Sequence, residues 1–217
     1  SSNMKREKIF KLIDLHLEER AGVPSNRELM WDELGEWQIN SLKTLGLSPS
    51  NKLLDVGCGP LRFGTYAISY LDNGNYHGVE VWEPYIKLGK RVLEEFEITK
   101  NYTMKIDRDF DYEIFGEKFD FAIAQSVVTH LSVHQIDKLL STLKKVMVSG
   151  GSFLFSYINN KFPYSVYYEM EEPMITPSNL SDSFFRSFEK KYGLRFGKQP
   201  AGLDSHPTGQ TVAVYQF

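Results

Sequence analysis

The 217-residue chain carries one cysteine, Cys58, so no internal disulfide can form, and a reducing, cytoplasmic setting is expected. No apolar run approaches the ~20 residues that a membrane helix needs. Met4-Lys5-Arg6-Glu7-Lys8 lacks the apolar core of a secretory signal. Basic residues are not in excess. The formal net charge of −3 argues against a broad nucleic-acid footprint, which would show as a basic stripe. Internal repeats and low-complexity segments are also missing. With 41% hydrophobic and 24% charged residues, the chain reads as one globular domain plus an extension.

What is present centres on Lys52-Leu53-Leu54-Asp55-Val56-Gly57-Cys58-Gly59-Pro60-Leu61-Arg62-Phe63-Gly64. Leu53, Leu54 and Val56 form a short apolar run that predicts a strand buried on both faces. Gly57 and Gly59 predict a tight turn in which backbone can approach a ligand without Cβ interference. Leu61 to Leu71 has apolar residues at helical spacing, so the turn aims free N–H groups of a helix start at whatever lies above the strand. Asp55 falls at the strand end, where an ionised carboxylate is expected to face a ligand. Tyr76-His77-Gly78-Val79-Glu80 reads as a second strand ending in an acid, 21 residues after Gly59, placed to accept two ribose hydroxyls. The third glycine of a dinucleotide fingerprint is absent. Arg62 stands in its place and would crowd a pyrophosphate, so a nucleoside without phosphates is favoured over NAD.

These residues resemble a known family. Leu53 to Gly59 is similar to the first motif of class I S-adenosylmethionine-dependent methyltransferases, and Glu80 to the acid that ends their second strand. Trp37-Gln38, Leu42 and Gly46-Leu47, followed by Leu53 to Arg62, resemble a bacterial subgroup of these enzymes. The resemblance covers roughly residues 37 to 217. It implies a Rossmann-like, mostly parallel seven-stranded sheet of order 3-2-1-4-5-7-6 with helices on both faces. Residues 1–46 would form a helical extension or lid, and 47–217 the methyltransferase domain.

The remaining pattern agrees with strand–helix alternation. Residues 4 to 20 predict an amphipathic helix, broken by Ala21 to Pro24. Ser25-Asn26-Arg27-Glu28 has capping-box spacing, and a second helix follows through Leu29, Trp31, Leu34, Trp37, Ile39 and Leu42 to a stop at Gly46. Gly35 predicts a bend or break in it. Pro84 opens a helix to about Leu93. Tyr102 to Ile106 and Phe119 to Gln125 read as strands, and Ser132 to Gln135 as a capping box for a helix to about Val146. Ser152 to Tyr157 reads as the fifth strand. The aromatic and Pro-rich stretch from Asn159 to Asn179 predicts a functional loop. Ser181 to Tyr192 reads as a helix, with strands at Leu194 to Phe196 and Thr211 to Phe217.

The resemblance implies S-adenosylmethionine as cofactor and assigns its contacts. Asp55 would lie near the cofactor's amino group, on the loop of Gly57, Cys58 and Gly59, and Arg62 would pair with its carboxylate. Glu80 would bind the ribose, Asp107 the adenine amino group, and Trp82 would stack on adenine. Gln125 and Ser126 would border the sulfonium. Each has a plainer alternative: Glu80 as a solvated acid, Asp107 as a turn cap, Arg62 as an exposed first-turn residue, and Trp82 as core. Cys58 reads as a small apolar filler rather than a nucleophile. His130 and His134 stand four apart, yet Ser132 caps a helix between them and no third ligand is evident, so no metal is expected. His130 is the candidate base and His206 a second, each with a histidine bonded to its surroundings as the alternative. The expected reaction is methyl transfer to a hydroxyl or amine of a small-molecule acceptor, without nucleic acid or membrane. Phe162, Tyr164, Tyr167 and Tyr168 would line an apolar or ring-bearing acceptor site, with simple packing as the alternative. A non-catalytic cofactor-binding module and a nicotinamide oxidoreductase are the rival readings.

Overall fold

The structure is a computed structural model that describes residues 7–11, 27–158 and 180–217. The expected helix over 4–20 is therefore visible only as helical residues 7–11. The Ser25 capping box and the aromatic stretch 159–179, with Phe162, Tyr164, Tyr167 and Tyr168, lie outside the described residues.

Seven strands form one sheet: β1 (Leu53–Val56), β2 (Tyr76–Glu80), β3 (Thr103–Ile106), β4 (Phe119–Ala124), β5 (Met147–Tyr157), β6 (Arg195–Lys198) and β7 (Thr211–Gln216). Their order is β3-β2-β1-β4-β5-β7-β6, as expected. β1 pairs parallel with β2 and β4, while β7 runs antiparallel between β5 and β6. Successive side chains leave opposite faces. Leu53, Phe121 and Ile123 enter the cluster under the first helices, whereas Leu54, Val56, Ala122 and Ala124 enter the cluster under the last ones. β1 and β4 are buried on both sides, which is why neither alternates apolar with polar residues.

The helices are α1 (Arg27–Thr44), α2 (Arg62–Tyr70), α3 (Glu83–Glu95), α4 (Val133–Val146) and α5 (Asp182–Tyr192). α1 ends at Gly46, whose φ of +107° lets the Gly46 and Leu47 amides donate back to Lys43 and Leu42. Pro84 sits in the first turn of α3. Ser132 and Gln135 form the expected capping box of α4, with Ser132 Oγ accepting from the Gln135 amide at 3.1 Å and Gln135 Oε1 accepting from the Ser132 amide at 3.0 Å.

Two expectations change. α1 runs unbroken through Gly35. That glycine serves packing instead, because a Cβ there would lie 2.3 Å from Cε2 of Tyr66 on α2. The Tyr66 hydroxyl crosses α1 to donate to Asp32. β5 begins at Met147 rather than Ser152, since a register shift lets Met147 pair with Phe119 before Ser152 pairs with Phe121.

Candidate functional site

The turn from β1 to α2 is held against β2 by two amides, Gly57 N–H and Cys58 N–H, which donate to the Val79 carbonyl at 2.9 and 3.0 Å. Its backbone visits the left-handed region at Gly57 (φ +70°), Gly59 (φ +55°) and Leu61 (φ +67°). A Cβ on Gly57 would strike Val127 at 2.7 Å, whereas one on Gly59 would meet nothing within 4 Å. Gly57 is thus required by packing. Gly59 keeps backbone bare beside open space. Leu61 is fully buried between Gly64 and Gly89, whose added Cβ atoms would lie 2.7 and 3.0 Å from its side chain.

This turn forms one wall of a cavity of about 180 Å³ at the carboxyl ends of β1 and β4. Asp55, Gly57, Cys58, Gly59 and Arg62 line it, joined by Gln125 and Ser126 from beyond β4. Seven of the ten expected cofactor contacts are therefore brought together here. Pro60 of the turn and Phe63 of α2 also line it, and so, further from the turn, do Trp31, Leu34 and Gln38 of α1, Tyr85 of α3, and Gln210. None of Trp31, Leu34, Gln38, Tyr85 or Gln210 follows from the glycine turn, and none was anticipated as a site residue. For the α1 trio the available signal was their shared helix face; Gln210 left no signal in the sequence.

Asp55 is 3% exposed and accepts a 2.6 Å hydrogen bond from the Tyr76 hydroxyl. Burial pushes its pKa up to about 7, against the Tyr76 bond and the Arg62 charge, while Glu80 adds to the rise. At neutral pH the carboxyl therefore lies near the midpoint of its titration and is neutralised more easily than an ordinary strand-end acid. Cys58 is buried, and its thiol is pushed well above the usual range by burial and then by Asp55 and Glu80, as suits a filler rather than a nucleophile.

Glu80 and Asp107 lie with Val79, Val81 and Arg108 around a tight crevice that has no room for a water molecule. Glu80 is 2% exposed. Its Oε1 accepts from the Gly59 amide at 3.2 Å and its Oε2 from the Val81 and Trp82 amides at 2.6 and 2.9 Å. The carboxylate so ties the glycine turn to the start of α3, and it is not a solvated acid. Asp107 receives the Asp109 and Asp111 amides at 3.3 and 3.2 Å, a turn cap, and its carboxyl is raised mainly by burial. Trp82 is the N-cap residue of α3 and packs edge-on against Tyr85 at 4.6 Å.

Beyond β4 lies a polar network. Gln125 Oε1 accepts from the Ser156 hydroxyl and from His206 Nε2–H, both at 3.0 Å. His206 Nδ1 accepts from the Thr208 amide at 3.1 Å, which assigns the proton to Nε2. The Ser126 hydroxyl donates to Gln210 Oε1 at 2.8 Å. The His206 ring meets Trp37 edge-on at 4.7 Å, and burial, then the Arg62 charge, pushes its pKa down to about 4. His206 is consequently a neutral connector with both nitrogens engaged. His130 belongs to a single 3-10 turn, Val128–His130; it is 5% exposed and does not line the cavity. His134, in the first turn of α4, is exposed. Among the described residues no group of three His, Cys, Asp or Glu side chains is placed to hold a metal, and no helix is long and apolar enough to cross a membrane.

A cavity at the point where strand order reverses, backed by a glycine turn and a strand-end acid, on a 3-2-1-4-5-7-6 sheet, defines the class I methyltransferase fold. The methyltransferase-domain family profile matches residues 47–193, and the chain belongs to that family, whose cofactor is S-adenosylmethionine. An uncharacterised protein of Rickettsia prowazekii (strain Madrid E) is 29% identical over 120 residues, 53% of this chain. The match spans 47% of that relative, so the chain aligns with about half its length. Among solved structures, magnesium protoporphyrin IX methyltransferase of Synechocystis PCC 6803, with S-adenosylhomocysteine bound, superposes with a TM-score of 0.59 at 14% identity, covering 99% of this chain and 94% of that one. An amino pentose methyltransferase of Micromonospora echinaspora superposes with a TM-score of 0.61 at 13% identity, covering 85% and 90%. At these identities the likeness concerns the fold.

Proposed function

We propose that the chain transfers a methyl group from S-adenosylmethionine to a hydroxyl or amine of a small-molecule acceptor. The observation that carries this reading is the cavity itself: bare backbone at Gly59, the Asp55 carboxyl and the Arg62 guanidinium along one wall, neutral hydrogen-bonding groups of Gln125, Ser126 and Gln210 along another. The residues fit a zwitterionic sulfur nucleoside. Arg62 would hold its carboxylate, Asp55 its ammonium, and Glu80, which accepts from the Gly59 amide on the cavity wall, the ribose side. The cofactor supplies an electrophilic methyl carried on sulfur. The chain's own part is alignment of the acceptor and exclusion of water, with binding energy spent on geometry. His130 is proposed as the group that takes the acceptor proton. α1 is proposed as the lid, since Trp31, Leu34 and Gln38 close the cavity. The porphyrin and amino-sugar substrates of the structural neighbours support a small-molecule acceptor.

Calorimetric titration with S-adenosylmethionine, S-adenosylhomocysteine and NAD tests the reading. Glu80→Gln is the variant of choice, because it retains an acceptor oxygen for the backbone amides. Micromolar binding of both sulfur nucleosides, weakened about tenfold in the variant (about 1.4 kcal/mol) with NAD inert, is expected. Preference for NAD, or no binding of either sulfur nucleoside, would sink it. Binding with no turnover across an acceptor panel would identify a non-catalytic module.

A further inference from the structure

The polar groups on the cavity wall differ in how far their bonding capacity is used. Gln125, Ser126 and Gln210 satisfy one another and their neighbours. Gln38 does not. It is 2% exposed, it lines the cavity on the α1 side, and its Oε1 is buried without a hydrogen-bond partner among the described residues. Trp37 and Ile39 on either side of it turn into the apolar cluster, while Leu34 and Trp31, one and two turns earlier, share its stripe along the cavity. A buried acceptor left unpaired costs about 1–3 kcal/mol, which a ligand donor would return.

We propose that Gln38 is a ligand residue that reads the amino-acid end of the bound sulfur nucleoside. The inference rests on the cofactor reading above and adds a residue from the lid helix to it. Two features of the cavity select that end of the ligand. Asp55 and Arg62, the charged groups that answer an ammonium and a carboxylate, line the same space. The far wall is already self-satisfied. Turning the Gln38 amide about its last bond exchanges its oxygen and nitrogen, so one side chain can serve either charge of an amino-acid head. Leu34 and Trp31 offer no such group.

The test compares S-adenosylhomocysteine with 5′-methylthioadenosine, which keeps the adenosine and thioether but lacks the amino-acid chain. Gln38→Leu is expected to weaken S-adenosylhomocysteine at least tenfold and to change methylthioadenosine, read by ligand-induced shift in Tm, less than twofold in half-saturating concentration. The ligand-free Tm of the variant is expected to equal or exceed that of the wild type, because an unpaired buried oxygen is removed. Gln38→Met, with a longer apolar side chain, should reproduce the pattern. Equal weakening of both nucleosides, unchanged S-adenosylhomocysteine affinity, or a fall of several degrees in ligand-free Tm in both variants would overturn the proposal. Wild-type protein that binds neither nucleoside overturns the cofactor reading and this one with it; wild-type binding with undiminished Gln38→Leu affinity overturns this one alone.

Discussion

The Tyr76 hydroxyl donates 2.6 Å to Asp55 Oδ2, joining the first residue of β2 to the third of β1 at the cavity wall. Asp55 is thereby an acid whose charge is balanced near neutrality. Burial and Glu80 disfavour its ionised form, and Tyr76 and Arg62 favour it. The unfolded chain releases this proton above the ordinary 3.8, whereas the folded chain keeps it until about 7. Stability is therefore lost as pH rises through that window, by roughly 4 kcal/mol if no other group compensates. Asp55→Asn is expected to be more stable than the wild type at pH 8 and close to it near pH 4, by thermal denaturation. Cofactor affinity should rise with pH through about 7 in the wild type and lose that dependence in the variant. A variant less stable at pH 8 would contradict this account.

His206 and His77 give the opposite slope. Burial lowers both, His206 from 6.5 to about 4. Above the unfolded value both states are neutral and stability is intact. As pH falls below 6.5 the unfolded chain takes up protons that the folded chain refuses, so stability declines toward pH 4, by up to about 3 kcal/mol for His206. His206→Gln should flatten this acid limb in a series of melts between pH 7 and 4.5. An unaltered limb would assign it elsewhere.

Glu80→Ala is expected to do more than empty a ligand contact. It leaves the Gly59, Val81 and Trp82 amides without their acceptor, a loss on the order of 3 kcal/mol even with water entering. Glu80→Gln should cost clearly less stability. Equal Tm values for the two variants would show that the three amides do not depend on this carboxylate.

Gly35→Ala pits propensity against contact. Alanine favours a helix by about 1 kcal/mol, yet its Cβ would stand 2.3 Å from the Tyr66 ring. The ring is pinned by its bond to Asp32, so α1 must lift, and the net effect is expected to be a loss of about 1–3 kcal/mol. Trp31, Leu34 and Gln38 move with α1, so S-adenosylhomocysteine affinity should fall several-fold. Tyr66→Ala in the same background should restore both, which a merely intrinsic helix effect would not allow.

The strand, turn and helix from Leu53 to Gly64 were legible because each rule involved acts within a few residues: an apolar run, glycines at positive φ, then helical spacing. The Ser132 and Gln135 box is local in the same sense. The sheet order came from family likeness and not from periodicity. What stayed hidden depends on register and on elements far apart in sequence. Tyr76 reaches Asp55 because β1 and β2 pair parallel with Leu53 opposite Tyr76. Gly35 read as a helix breaker because the ring that needs its missing side chain belongs to α2. Asp55 read as charged because nothing nearby in sequence announces its burial. Glu80 was singled out by spacing and Asp107 by family likeness at a strand end, but the backbone amides that occupy them left no signal.

The cavity takes walls from Trp31 through to Gln210. During synthesis, then, the glycine turn emerges early and stays without a pocket until the strand that follows Gln210 has slotted between β5 and β6. Ligand can act as a folding aid only for chains that already possess β7. Fragments cut before residue 210 should be invisible to it, so rescue of an unstable variant by added nucleoside requires a chain that extends through β7.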